Sequence, residues 1–162
     1  MGKTKITVEP GKNEIVMTRE FAAPRDLLFK AHTDPELLVQ WLGPRRMEMT
    51  VDKMEVRNGG VWRYIHREPD GNEHAFHGVF HGTPSEDGIV QTFEYEATPG
   101  HVSLDTLRFE ERGDRTVVRV TSVFQSVADR DAMAAAGMES GVNDGYDRLD
   151  ELVARLEPVK RA

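Results

Sequence analysis

Residues 14 to 21, EIVMTREF, alternate apolar and polar positions, with Ile15, Met17 and Phe21 on one face and Glu14, Thr18 and Glu20 on the other. A period of two marks a half-buried strand. Arg19 falls on its apolar face. APRDLLFKAH then predicts a helix with Pro24 near the first turn. TDPELLVQWLGP predicts a second, with Thr33 and Glu36 at capping-box spacing and Gly43-Pro44 as the stop. Six further strands are expected at about 47–54, 60–67, 73–82, 89–96, 101–110 and 115–124, separated by Gly, Pro, Asp and Asn clusters. The chain closes helically. Ser126 and Asp129 have capping-box spacing ahead of VADRDAMAAAG, and a longer helix over about 138–156 carries Val142, Tyr146, Leu149, Val153 and Leu156 on one stripe. The result is an α+β layout. A seven-stranded antiparallel sheet with one amphipathic helix buries both apolar faces only if the sheet curls around the helix.

Strand alternation also predicts what faces that helix. A three-residue loop of Asp70, Gly71 and Asn72 puts Trp62, Tyr64, Phe76 and Phe80 on one side, with His66 and His74 leaning inward and His77 and His81 facing out. A loop around Thr98-Pro99-Gly100 sets Phe93 opposite Ser103, Gln91 opposite Asp105 and Ile89 opposite Leu107. A two-residue turn at Arg112-Gly113 aligns Leu107 with Val118, Asp105 with Val120 and Ser103 with Ser122. Gln91, Ser103, Asp105 and Ser122 thus form a polar patch in an otherwise apolar interior. A carboxylate there is costly unless it is hydrogen-bonded, paired or protonated. Arg19 is one candidate partner. The patch either meets a ligand or ordered waters, satisfies itself as a network, or is turned to solvent by a bulge.

Trp41, Trp62, Tyr64, Phe76, Phe93, Met133, Met138, Val142 and Tyr146 join the patch as candidate cavity-lining residues. Bulky aromatics, flexible methionines and a few central polar groups suit a small-molecule site, although each residue alone also suits ordinary core. Gly137, Gly141 and Gly145 recur beside the helical stripe, and a glycine inside a helix costs about 1 kcal/mol against alanine. Either the backbone packs closely on a neighbouring loop there, or the thin face leaves volume beneath it. Gly137 also suits the end of the preceding helix.

Four of the six histidines lie within residues 61–82, which raises the question of a metal site. His77 and His81 are about 13 Å apart along a strand, too far for one zinc ion with bonds of about 2 Å, and no third ligand has a recognisable spacing. No metal and no cofactor is expected.

At 162 residues the chain has the length of one domain, read as a short polar leader over 1–12, a single domain over 13–157 and a tail over 158–162. A net charge of -7 without clustered Lys and Arg gives no footprint for nucleic acid or for an anionic bilayer. There are no cysteines, which excludes disulfides and thiolate chemistry. No apolar run is long enough for a membrane span or a signal peptide, so the expected location is cytoplasmic.

MTREFAAPRDLLFKAHTDPELLVQWLGP, VRNGGVWRYIHREPDGNEHAFHGVFH, TPGHVSLDTLRFEE and TSVFQSVADRDAMAAAGMESGVNDGYDRLDELVARL resemble the SRPBCC, or START-like, superfamily. Within it they resemble the branch related to the C-terminal domain of the heat-shock-protein-90 ATPase activator. The resemblance spans about residues 13–157. It implies a helix-grip fold, a curved antiparallel sheet around a long C-terminal helix enclosing a cavity for apolar ligands. It also implies several functions, since one fold hosts many. Binding of a small hydrophobic or amphipathic ligand, lipids included, is the leading expectation. A stress-response module with a chaperone partner and a cyclase-like enzyme in which Asp105 moves protons are the alternatives. The resemblance leaves a homodimer open.

Overall fold

The computed structural model describes residues 3–156. Strands β1 (Lys5–Thr7) and β2 (Glu14–Phe21) are followed by helices α1 (Arg25–Thr33) and α2 (Pro35–Leu38). Six strands come next: β3 (Glu48–Met54), β4 (Val61–Arg67), β5 (Glu73–Val79), β6 (Gly88–Tyr95), β7 (Val102–Arg112) and β8 (Arg115–Val123). Helices α3 (Val127–Ala135) and α4 (Met138–Arg155) complete the order. The strands form one antiparallel sheet in the order β1-β2-β8-β7-β6-β5-β4-β3. This is the helix-grip layout, with eight strands rather than seven. The added strand lies inside the segment expected to be a leader. Three residues, Lys5-Ile6-Thr7, are too few to show an alternation, and the strand is defined by its pairing with Val16–Thr18. The tail expected over 158–162, and the last residue of the expected domain, lie outside the described residues.

Local chemistry sets the boundaries. Asp34, not Thr33, caps α2: its carboxylate accepts from the Glu36 N–H at 3.0 Å, while the Thr33 hydroxyl donates to the Phe29 carbonyl at 2.8 Å. Pro35 at the first helical position fixes that start. The Ser126 hydroxyl caps α3 by accepting from the Asp129 N–H at 3.0 Å. Gly137, at φ 81°, turns the chain between α3 and α4 through a conformation that only glycine adopts cheaply.

Two hairpin registers differ from expectation by two residues. Glu68 pairs with Asn72 around Pro69-Asp70-Gly71, so Tyr64 lies opposite Phe76 and His66 opposite His74. Arg112 pairs with Arg115 around Gly113-Asp114, so Leu107 faces Val120 and Asp105 faces Ser122. A slip of two leaves every side chain on its expected face, which is why the pattern alone cannot detect it. The β6–β7 register is as expected, with Gln91 opposite Asp105 and Phe93 opposite Ser103.

One row now crosses the concave face of the sheet: Ile15, Ser122, Asp105, Gln91 and Phe80. Above it lies α4, burying Tyr146, Leu149, Leu152 and Val153 against the sheet and against α1. No helix among the described residues is long and apolar enough to cross a membrane.

Candidate functional site

Between the concave sheet and α4 lies a cavity of about 360 Å³, within the usual range of small-molecule sites. Its wall includes Trp62 and Tyr64 from β4, Phe76 from β5, Gln91 and Phe93 from β6, Ser103 and Asp105 from β7, and Ser122 from β8. Trp41 from the segment after α2, Met133 from α3, and Met138, Val142 and Tyr146 from α4 complete the set expected from sequence. The wall also contains His66, which alternation turned inward, Gly141 and Gly145 from the glycine series of α4, and His32, which the sequence pattern did not single out. His32 sits on α1, whose pattern identifies a buried face but not what that face borders.

The aromatics form a continuous lining. Trp62 stacks on Tyr64 with centroids 4.9 Å apart, Phe76 lies 5.3 Å from Phe93, and Trp41 stacks on Tyr146 at 6.0 Å. Trp41 is fixed by its indole N–H, which donates to the Ala31 carbonyl at 3.0 Å. The indole nitrogen of Trp62 and Nδ1 of His66 are buried without a hydrogen-bond partner in the protein.

Asp105 is the chemical centre. The Ser103 hydroxyl donates to its Oδ1 at 3.2 Å, and the Ser122 hydroxyl, directly across the strand pair, hydrogen-bonds it as well. Burial pushes its carboxyl up to about 6, against the downward pull of both serines. Burial, and then the nearby Asp105 charge, raise the Tyr64 phenol above its ordinary value. Burial lowers His32 to about 4, opposed by the hydrogen bond between Nδ1 and the Leu28 carbonyl. His66 also falls to about 4, through burial first and then through His74 and Arg148.

Arg19 does not meet Asp105. It pairs with Val118, four residues along β2 from the row that holds Asp105, or about 13 Å away. Its guanidinium is held by Asp147, at 2.9 Å, and by Asp150 of α4, over the rings of Phe21 and Tyr146.

The remaining histidines take separate roles. His74 lies 2.9 Å from the Tyr95 hydroxyl and 3.1 Å from Glu68. His77 sits between Glu94 and Glu96, and Glu96 also binds Arg63. No group of three or more His, Asp or Glu side chains suited to a metal ion converges among the described residues.

The glycines of α4 divide between the two readings. A Cβ on Gly145 would stand 3.0 Å from the Trp41 carbonyl oxygen and 3.2 Å from the Gly43 nitrogen, so the helix packs on that loop. At Gly141 the nearest atom would be Pro44 Cγ at 3.8 Å, an ordinary contact.

A curved antiparallel sheet that grips a C-terminal helix over an internal cavity defines a helix-grip protein. The chain belongs to the family of activator of Hsp90 ATPase homolog 1-like proteins, whose model matches residues 22–154. A crystal structure of a Rhodobacter sphaeroides protein is similar, at 27% identity and TM-score 0.86, over 94% of this chain and 99% of that one. A Staphylococcus epidermidis protein solved by NMR shares 26% identity, with TM-score 0.79, over 93% and 95% of the two chains. Protein Ms6760 of Mycobacterium smegmatis, at 21% identity and TM-score 0.84 over 94% and 96%, shares the fold. No curated protein matches the chain.

Proposed function

We propose that this protein binds a small hydrophobic or amphipathic molecule in the cavity between the sheet and α4. The observation that carries this reading is the cavity itself: about 360 Å³ walled by aromatic and aliphatic side chains, with one polar island around Asp105. A core built only for stability packs to crystal-like density. This interior instead spends its bulky aromatics on a wall. Chemistry on a bound molecule has weaker support, because the two hydroxyls beside Asp105, those of Ser103 and Ser122, are engaged with its carboxylate and no histidine base is hydrogen-bonded to either among the described residues.

The test is native mass spectrometry of the purified protein, followed by thermal unfolding with a panel of apolar probes. A ligand at about 100 times its Kd stabilises the folded state by about 2.7 kcal/mol, a rise of roughly 5–10 °C for a chain of this size. A copurifying molecule, or a probe that produces such a rise, supports the proposal. If no molecule copurifies and no probe shifts the transition, it is wrong.

A further inference from the structure

The charge of the cavity wall has one sign. Its 28 residues include no lysine and no arginine, and Asp105 is the one carboxylate among them. Two serine hydroxyls serve Asp105 as donors, an arrangement that supports the ionised form. The arginines Arg19 and Arg148 are engaged elsewhere. Arg19 is taken by Asp147 and Asp150, and Arg148 donates to the Gly43 carbonyl at 3.2 Å. A buried carboxylate without a cation is destabilising, and its removal is an easy evolutionary gain. The same wall carries the rings of Trp62, Tyr64 and Phe93, and aromatic faces attract an ammonium group.

We infer that the missing cation is supplied by the ligand, and that this cavity selects compact hydrophobic amines, with the ammonium group on Asp105 and the apolar body against the aromatic wall. The inference rests on the binding function proposed above and narrows it. Alkyl carboxylates are then excluded as preferred ligands, because like charges would be buried together. The lower-end volume favours a ring-bearing amine over a long acyl chain.

The titratable groups that share the cavity wall with Asp105 do not compete with it. Tyr64 on β4 and Tyr146 on α4 are neutral phenols, both raised by burial. His32 on α1 and His66 on β4, each lowered to about 4, are mostly neutral from pH 5 upward. Asp105 is therefore the group that sets the charge of the site.

The test is calorimetric titration with phenylbutylamine, phenylbutanol and phenylbutanoate, three probes that share one body and differ in the end group. The amine is expected to bind about tenfold or more tightly than the alcohol, and the carboxylate most weakly. Asp105→Asn is expected to bring the amine down to the alcohol's level. If that variant does not fold, the pH profile of the unaltered protein serves. With Asp105 titrating at about 6, amine affinity should fall about tenfold between pH 7.5 and pH 5, and alcohol affinity should not follow it. Equal binding of amine and alcohol, or a preference for the carboxylate, overturns the amine inference and leaves the cavity function standing. Binding of none of the three, with no thermal shift from any apolar probe, overturns both.

Discussion

Around α1, Phe21, Leu28, Ala31, Val118 and Leu149 are fully buried, and Leu152 and Val153 are at most 4% exposed. Around the cavity, Tyr64, Phe76, Phe93 and Val142 occupy the same sheet and the same helix, yet they remain only partly buried. The difference lies in what fills the space between. At the first end, α1 packs against β7, β8 and α4 and adds its own apolar face as a plug. At the other, α4 presents Gly141, and the opposing wall carries Ser103, Asp105 and Ser122. One end holds the fold together, and the other is kept open.

Truncation should separate the two ends most clearly. Leu149→Ala removes a fully buried side chain from close-packed surroundings, and such changes cost about 2–5 kcal/mol. We expect about 4. Phe93→Ala enlarges a space that already exists and removes a partly buried ring, so about 2 kcal/mol is expected despite the larger side chain. Denaturant midpoints at constant m-value measure both. Equal losses would show that the wall is packed as tightly as the plug.

Acid sharpens the contrast next. His32 and His66 have folded values of about 4 against an ordinary 6.5, so they contribute stability that is present above about pH 6.5 and lost as pH falls toward 4. Each is worth about 3 kcal/mol at 1.36 kcal/mol per unit. Asp105 runs the other way. Raised from 3.8 to about 6, its contribution is complete below about pH 4 and disappears as pH rises through 6, again a change of about 2–3 kcal/mol. The two histidines outweigh the one carboxyl, so these three groups together should destabilise the protein by about 3 kcal/mol between pH 7 and pH 4. Asp105→Asn should stabilise it by about 2 kcal/mol at pH 7 and by almost nothing at pH 4. No gain at pH 7 in a urea titration would mean that the carboxylate is well solvated, which would also remove the motive for a cationic ligand.

The sequence made one class of information plain and hid another. Alternation assigns Trp62, Tyr64, Phe76, Phe93 and Asp105 to the concave face, because side-chain direction has a period of two and survives a slip of two residues. It cannot say that Asp105 faces Ser122 rather than Val120, because that depends on which residues form the Gly113-Asp114 turn. Nor can it find the role of Arg19, whose partners Asp147 and Asp150 lie some 130 residues away on a helix face that reads as solvent-exposed. His32 was hidden for a related reason. An apolar face on α1 shows burial, whereas its position at the border between plug and cavity is a product of tertiary packing.

The smallest expected effects test the boundary between the two ends within a single helix. Replacing glycine by alanine in a helix interior gains about 1 kcal/mol when the methyl group has room. Gly141→Ala has room, with Pro44 at 3.8 Å, and should stabilise by about 0.5–1 kcal/mol. Gly145→Ala meets backbone atoms of Trp41 and Gly43 at 3.0 and 3.2 Å. Those atoms have little freedom, because the Trp41 ring is anchored to Ala31 and the Gly43 carbonyl is held by Arg148. Crowding there should cancel the helical gain and cost about 1 kcal/mol net. The same substitution four residues apart is thus expected to change sign in thermal unfolding. If both variants gain stability, the loop yields to α4 and the close contact at Gly145 does not fix the helix. If both lose it, the space beside Gly141 is too tight for a methyl group, and the hollow end is smaller than its walls suggest.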